Sequence, residues 1–197
     1  MTTKQIFDYD RAFGFTVAGI DEAGRGPLAG PVVSACCSID YYIEGINDSK
    51  KVSEKKREQL YELIIEKASA YGISIIGPEE IDRINILEAT KKGMTEAAFK
   101  MNLTPALYLI DAVKGLKLNA ETKPIIKGDA NSYSIAAASI LAKVTRDRIM
   151  REYDKIYPEY GFEKHKGYGT KFHIDALKTY GPSPIHRKTF IKNFIQL

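Results

Sequence analysis

The sequence predicts an α/β fold: a mixed sheet that begins as an antiparallel hairpin, continues in parallel strands and is flanked by helices. Three observations carry this. Two β-rich runs, 15–20 and 31–39, lie close together with a glycine-rich turn between them. Further along, short apolar runs alternate with helical patterns, which is how parallel strands with crossover helices read. The 197 residues are 44% hydrophobic and 27% charged, ordinary values for one domain that buries its own core.

Each element has a local reason. Residues 15–20 and 31–39 have the length and β-propensity of strands. Ser53 is placed to cap a helix with Glu54 in its first turn, and Leu60, Leu63, Ile64 and Ala68 give that helix one apolar face. Residues 73–76 read as a short strand. Pro78, Glu79 and Glu80 open a helix expected to run to about Met101. The apolar run 106–110 ends at Asp111, as a buried strand does. A short strand over 123–126 stops just before Gly128 and Asp129. Residues 132–157 read as one long helix, Ala-rich in its first half and so able to lie close to a sheet. A last helix covers 170–180. No repeat or linker interrupts the chain, so residues 1–197 are expected to form a single domain.

Charge is unevenly spread. The formal net charge is +4, yet residues 1–142 are net acidic by two, and residues 164–197 hold seven Lys/Arg against one acid. A basic end after an acidic body points to a polyanionic partner or to a solvated basic face. No apolar run approaches the roughly 20 residues of a membrane helix, and the N-terminus lacks the apolar stretch of a secretory signal. The two cysteines, Cys36 and Cys37, are adjacent within a β-rich run. Without a CxxC or a Cys/His cluster they suggest a cytoplasmic protein with no zinc site.

The acids fall in a telling pattern. Asp21 is expected to end the first strand with Glu22 beside it, Asp111 ends a buried strand, and Asp129 follows another strand by two residues. Ligands in open α/β sheets sit at the carboxyl ends of strands. Carboxylates gathered there repel unless a cation intervenes, and an all-oxygen donor set selects a hard ion, Mg²⁺ or Mn²⁺. The alternative is that each Asp merely starts a turn. Strand alternation sends Asp21 and Glu22 to opposite faces, which makes Asp21, Asp111 and Asp129 the firmer ligands.

Two further motifs bear on a substrate. Gly24-Arg25-Gly26 opens a loop that superficially matches a dinucleotide fingerprint, but Pro27 and the β-rich run behind it leave no room for the helix that fingerprint needs. Such a loop still brings backbone N–H groups close to a phosphodiester, with Arg25 adding charge. His165-Lys166-Gly167-Tyr168-Gly169-Thr170 sets an aromatic between glycines and lysines, suited to stacking on a sugar or base. Lys50, in the turn Asn47-Asp48-Ser49-Lys50, is placed to meet a phosphate. His165, His173 and His186 lack metal-ligand spacing and read as structural or phosphate-adjacent. No G-x-S-x-G nucleophile signature occurs.

Taken in order, residues 19–33, Asn47-Asp48-Ser49-Lys50, Asp111, Lys127-Gly128-Asp129, the run 136–147 and residues 165–170 resemble ribonuclease HII, the type 2 ribonuclease H family. The resemblance spans roughly residues 15–190. It implies a ribonuclease H-like mixed sheet, with 164–197 as a basic helical segment packed on it. It also implies a metal-dependent endonuclease that cuts the RNA strand of RNA–DNA hybrids and cuts 5′ to ribonucleotides embedded in duplex DNA, leaving 3′-hydroxyl and 5′-phosphate ends. Its place would be ribonucleotide and RNA primer removal. By resemblance, Asp21, Glu22, Asp111 and Asp129 are the four metal-binding catalytic acids. Gly24, Arg25 and Gly26 contact the ribonucleotide 2′-hydroxyl through backbone groups, Tyr168 stacks on the sugar of the adjoining deoxynucleotide, and Lys50 lies near the phosphates. Two divalent ions, Mg²⁺ or Mn²⁺, about 3.5–4 Å apart would act in catalysis. The expected state is a cytoplasmic monomer whose partners are hybrids and ribonucleotide-containing duplexes, with no membrane.

Two alternatives stay open. A four-carboxylate 3′–5′ exonuclease uses Asp-x-Glu in its first motif, whereas Asp21 and Glu22 are adjacent, and His173-Ile174-Asp175 has the wrong spacing for its later motif. A non-catalytic hybrid-binding module would bind without cutting.

Overall fold

The computed structural model describes residues 1–50 and 52–195. It opens with a helix absent from the sequence expectations, α1 (Thr3–Arg11), started by a capping box between Thr2 and Gln5. Strands β1 (Val17–Ala23) and β2 (Val32–Ser38) pair antiparallel, from Gly19 opposite Cys37 to Ala23 opposite Val33. The ladder carries β1 past Asp21 and Glu22, so Asp21 lies inside the strand and does not end it. Helix α2 (Glu54–Lys67) is capped by the Ser53 hydroxyl. Leu60 and Ile64 are fully buried on it, whereas Leu63 turns to solvent, narrowing the expected apolar face. Strand β3 (Ala70–Ile76) pairs antiparallel with β2 and begins earlier than expected.

The helix expected over 78–101 is two helices, α3 (Pro78–Ile84) and α4 (Ile86–Lys100). Asn85 breaks it. Its φ of 66° leaves the helical region, and its side chain caps α4 by accepting from the N–H groups of Leu87 and Glu88. With ψ 165° this is a positive-φ extended conformation that ordinarily belongs to glycine, and the cap that the Asn85 amide supplies offsets its strain. Strands β4 (Leu107–Asp111) and β5 (Glu121–Ile125) follow, β4 parallel to β1 and β5 parallel to β4. Pro124 is tolerated because β5 is an edge strand. A one-turn helix, α5 (Gly128–Asn131), leads into α6 (Tyr133–Ile156), capped by Ser132. The end of the chain holds α7 (Phe162–His165), α8 (Lys171–Tyr180), capped by Thr170, and α9 (Lys188–Ile191).

The sheet order is β3-β2-β1-β4-β5. Helix α6 lies across β1 and β2 on one face and α4 across β2 and β3 on the other. Two glycines permit this closeness. A Cβ on Gly19 would fall 2.1 Å from the Ser134–Ile135 backbone, and one on Gly72 would fall 2.1 Å from the Ala97 carbonyl oxygen. Ala136, Ala137 and Ala138 are fully buried against the sheet, and Cys36 and Cys37 are free thiols inside β2. Among the described residues, no helix is long and apolar enough to cross a membrane.

Candidate active site

The register places the acids. Gly19 pairs with Leu109 and Ile20 with Ile110, so one step further along, Asp21 and Asp111 stand side by side on the α6 face of the sheet. Glu22, opposite Ser34, leaves β1 on the other face. It nevertheless lines the same cavity as Asp21, because both lie near the end of the strand. Asp129 arrives from the far side of β5. Lys127 adopts a left-handed conformation, φ 54°, and turns the chain into α5, which carries Asp129 in its first turn. The Gly128 N–H donates to Asp111 Oδ1 at 2.6 Å, tying the two acid-bearing segments together. A Cβ on Gly128 would meet that same oxygen at 3.2 Å.

These carboxyls are held where charge is unwelcome. Asp21 is 5% exposed. Burial pushes its carboxyl well above the ordinary carboxylate range, and repulsion from Glu22 and Asp111 adds to this. Its Oδ1 accepts from the Glu22 N–H at 2.7 Å. Burial also raises Glu22, with Asp111 pushing the same way and Arg25, 3.5 Å from Oε1, opposing. Glu22 Oε2 is buried without a partner. Asp129 is raised by burial first and then by Asp48 and Asp111, while Lys50 opposes. The Lys50 ammonium is 3.7 Å from Asp129 Oδ2. Partial burial pulls its pKa down, but Asp129, Asp48, Asp21 and Asp111 outweigh this and raise it.

A set of oxygen donors with an orphaned buried oxygen and several carboxyls driven toward protonation suits a hard divalent cation. Asp21, Glu22, Asp111 and Asp129 are the residues that could hold it, with Asp48 beside them. As the side chains stand, no three Asp, Glu, His or Cys among the described residues are drawn tightly enough to grip one ion. Side-chain rotation is what would close them on it.

The cavity, about 360 Å³, joins Asp21 and Glu22 to the expected substrate motifs, while Asp111 and Asp129 stand beside it and do not line it. Asp21, Glu22, Gly24, Arg25, Gly26, Lys50 and Tyr168 all line it. Tyr168 is 48% exposed, and its ring edge lies 3.6 Å from where a Gly26 Cβ would be. Asp48, Ser49, Ser139, Lys143 and Arg146 join the site without having been singled out by sequence. Ser49 and Ser139 share a 2.7 Å hydrogen bond under Asp21. Their signal was their place inside the quoted segments 47–50 and 136–147.

The basic end of the chain needs correction. Arg187 is fully buried, and the Lys166 side chain, 13% exposed, leans on the Glu163 carbonyl and Glu54. Lys164, Lys171, Lys178, Lys188 and Lys192 remain exposed. Two positions of the basic segment, 196 and 197, lie outside the described residues. His173 and His186 are buried and bond to each other, so they are structural rather than phosphate-adjacent.

Residues 18–193 match the family model described as ribonuclease HII. The chain is 57% identical over 189 residues to ribonuclease HII of Acetivibrio thermocellus, covering 95% of this chain and 73% of that one. It is 53% identical over 200 residues to ribonuclease HII of Clostridioides difficile, covering 99% and 78%. The crystal structure of ribonuclease H2 from Pyrococcus horikoshii OT3 superposes with a TM-score of 0.76 at 30% identity, covering 92% of this chain and all of that one. Its match identifies the five-stranded mixed sheet as ribonuclease H-like. With a family model spanning most of its length and relatives above half identity, the chain belongs to the ribonuclease HII family and is an endoribonuclease.

Proposed function

We propose that this endoribonuclease hydrolyses the RNA strand of RNA–DNA hybrids and nicks duplex DNA on the 5′ side of an embedded ribonucleotide, leaving 3′-hydroxyl and 5′-phosphate ends. The observation that carries this is the shared cavity: the buried, mutually repelling Asp21 and Glu22 carboxyls at one side, the Gly24–Gly26 backbone and the Tyr168 ring at the other. Asp21, Glu22, Asp111 and Asp129 would hold Mg²⁺ or Mn²⁺. Bound there, divalent ions supply an activated water and charge stabilisation for the leaving oxygen.

The chain's own residues do the rest. The 2′-hydroxyl is the group that distinguishes RNA from DNA at one position. The Gly24–Gly26 backbone can read it without reading the base, since Gly24 and Gly26 carry no Cβ into the cavity and leave the backbone groups accessible. Tyr168 packs on the neighbouring sugar and disfavours a second 2′-hydroxyl by contact. Arg25 and Lys50 lie where they can meet phosphate oxygens, and each now faces a carboxylate that a bound cation would neutralise. The exposed lysines of 164–195 give sequence-independent, salt-sensitive affinity. In this reading residues 1–197 act as one domain with 164–197 packed on it, a cytoplasmic monomer serving ribonucleotide and primer removal.

The test is Asp129→Asn. It is expected to bind a single-ribonucleotide duplex in Ca²⁺ as the parent does while losing cleavage in Mg²⁺ and Mn²⁺ by at least about a hundredfold. An active variant would sink the assignment of the acids. A parent that binds but never cuts would favour the binding module.

A further inference from the structure

One short segment near the C-terminal end touches both sugar-facing elements from behind. Its backbone joins the glycine loop: the Arg187 N–H donates to the Leu28 carbonyl and the Gly30 N–H to the Ile185 carbonyl, both at 2.8 Å, around an Ala29–His186 bridge. Its side chains then diverge.

Arg187 goes one way. Its guanidinium is fully buried and donates to three carbonyls of the loop: Gly24 at 2.6 Å, Arg25 at 2.9 Å and Gly30 at 3.0 Å. It forms no ion pair with a carboxylate among the described residues, so the loop carbonyls, with the Phe190 ring 5.1 Å from the guanidinium carbon, solvate the charge. A trans peptide sets its N–H opposite its C=O. Holding the Gly24 and Arg25 carbonyls inward therefore turns the N–H groups of Arg25 and Gly26 outward. Neither N–H donates to any described residue, and both residues are exposed at the cavity.

His186 goes the other way. Its Nδ1 accepts from the Ser183 N–H at 2.9 Å, so in the neutral ring Nε2 carries the hydrogen. That Nε2 is 3.0 Å from His173 Nε2, which must then accept. His173 Nδ1 is left protonated and donates to the Tyr168 carbonyl at 2.9 Å. Each bond fixes the tautomer of the next, and the relay ends on the backbone of the stacking tyrosine. His165 stacks on His173 at 4.5 Å and accepts from the Gly167 N–H, steadying the same turn.

We propose that Ser183–Arg187 is a two-armed brace for sugar recognition, with Arg187 the positioning residue for the Gly24–Gly26 loop and His186, acting through His173, the positioning residue for Tyr168. This rests on the reading that the loop meets the ribose and Tyr168 the adjoining deoxyribose. The arms then have separable effects. Loss of the Arg187 arm weakens discrimination between ribonucleotide-containing and all-DNA duplexes. Loss of the His186 arm weakens use of a ribo–deoxy junction and spares a continuous hybrid, which has none.

Two substrates and two pairs of variants test it. His186→Leu removes the relay donor, and His186→Gln keeps an N–H at the Nε2 position. His186→Leu is expected to lose about tenfold in kcat/KM on a single-ribonucleotide duplex, with less than about twofold on a continuous RNA–DNA hybrid, and His186→Gln to recover most of the loss. Arg187→Met, in Ca²⁺, is expected to bind the ribonucleotide duplex no more tightly than the all-DNA duplex, with Arg187→Lys intermediate. Equal losses on both substrates, or a Met variant that keeps its ribonucleotide preference, would overturn the brace. A parent protein with no ribonucleotide preference would instead overturn the reading of the site. Should the variants not fold, NMR of the parent decides. The brace requires hydrogen on His173 Nδ1 and His186 Nε2, and fast amide exchange at Arg25 and Gly26 that slows on adding the ribonucleotide duplex. The opposite tautomers, or protected amides in the free protein, contradict it.

Discussion

Asp21 is buried beside two other acids, a place that costs stability for as long as its charge is unneutralised. Replacing a buried, repelled carboxylate by its neutral isostere relieves that cost while removing a proposed metal ligand, the usual conflict between function and stability. Asp21→Asn is therefore expected to raise the unfolding free energy by about 1–3 kcal/mol in EDTA at pH 7 while abolishing cleavage. Chemical denaturation of both proteins in EDTA checks this, and a less stable variant would show that Asp21 is satisfied within the fold. At this scale the sequence was informative about Asp21, Asp111 and Asp129, because carboxylates after apolar strands need a compensating partner. It was uninformative about Asp48, which looks like any polar turn residue until Asp129 is folded against it. Arg146 and Arg187 were equally opaque. An arginine in a sequence reads as surface charge, yet these two donate to six backbone carbonyls from full burial. Burial pushes their pKa values down, to about 10 and about 9, still charged at neutral pH.

The glycine loop is an element whose shape depends on what lies beneath it. Gly24 has φ +100°, and a Cβ there would fall 2.1 Å from Arg146 Nε. Gly24→Ala thus combines backbone strain with displacement of a buried guanidinium and is expected to cost about 2–4 kcal/mol. Urea unfolding measures it, and a loss under about 0.5 kcal/mol would mean the loop is not held from below. The α3–α4 break gives a second element-scale prediction. Asn85→Ala loses both a cap and a residue tolerant of φ 66°, so a loss of about 1–2 kcal/mol is expected, with Asn85→Gly closer to the parent. Equal thermal stability of all three would contradict the capping role. The opening hairpin and the helix–strand alternation were legible because β-branched runs and Ala-rich packing faces are local signals, whereas the strand order β3-β2-β1-β4-β5 is set by long-range pairing. The α3–α4 break was not, because an asparagine within a helical pattern is ordinary until its backbone conformation is known. The extension of β1 beyond Asp21 was hidden for a related reason. Asp and Glu are poor strand formers, and cross-strand pairing with β2 overrides that preference.

On the scale of the whole molecule, the net charge of +4 is divided between surface and interior. In the proposed reading the exposed lysines bear the affinity for a polyanion, while Arg187 is enclosed and solvated by the loop. The buried histidines bear on stability. Burial lowers His173 and His186 from an ordinary 6.5 to about 4. The unfolded chain therefore takes up their protons first, so stability is full above pH 6.5 and is lost as pH falls toward 4, by roughly 2–3 kcal/mol per ring at the bottom of that window. Asp21, Glu22 and Asp129, whose folded values are raised, act in the opposite sense, so the comparison is between parent and His186→Gln. The variant is expected to lose less stability between pH 6.5 and 5 than the parent, and identical slopes would show that His186 does not titrate with unfolding. The reaction itself is read by incubating the protein with a DNA duplex that holds one ribonucleotide, in Mg²⁺ or Mn²⁺, and mapping the product ends. A single nick 5′ to the ribonucleotide, with 3′-hydroxyl and 5′-phosphate ends, is the predicted result. A ladder shortening from the 3′ end, or a strand left intact, would contradict it.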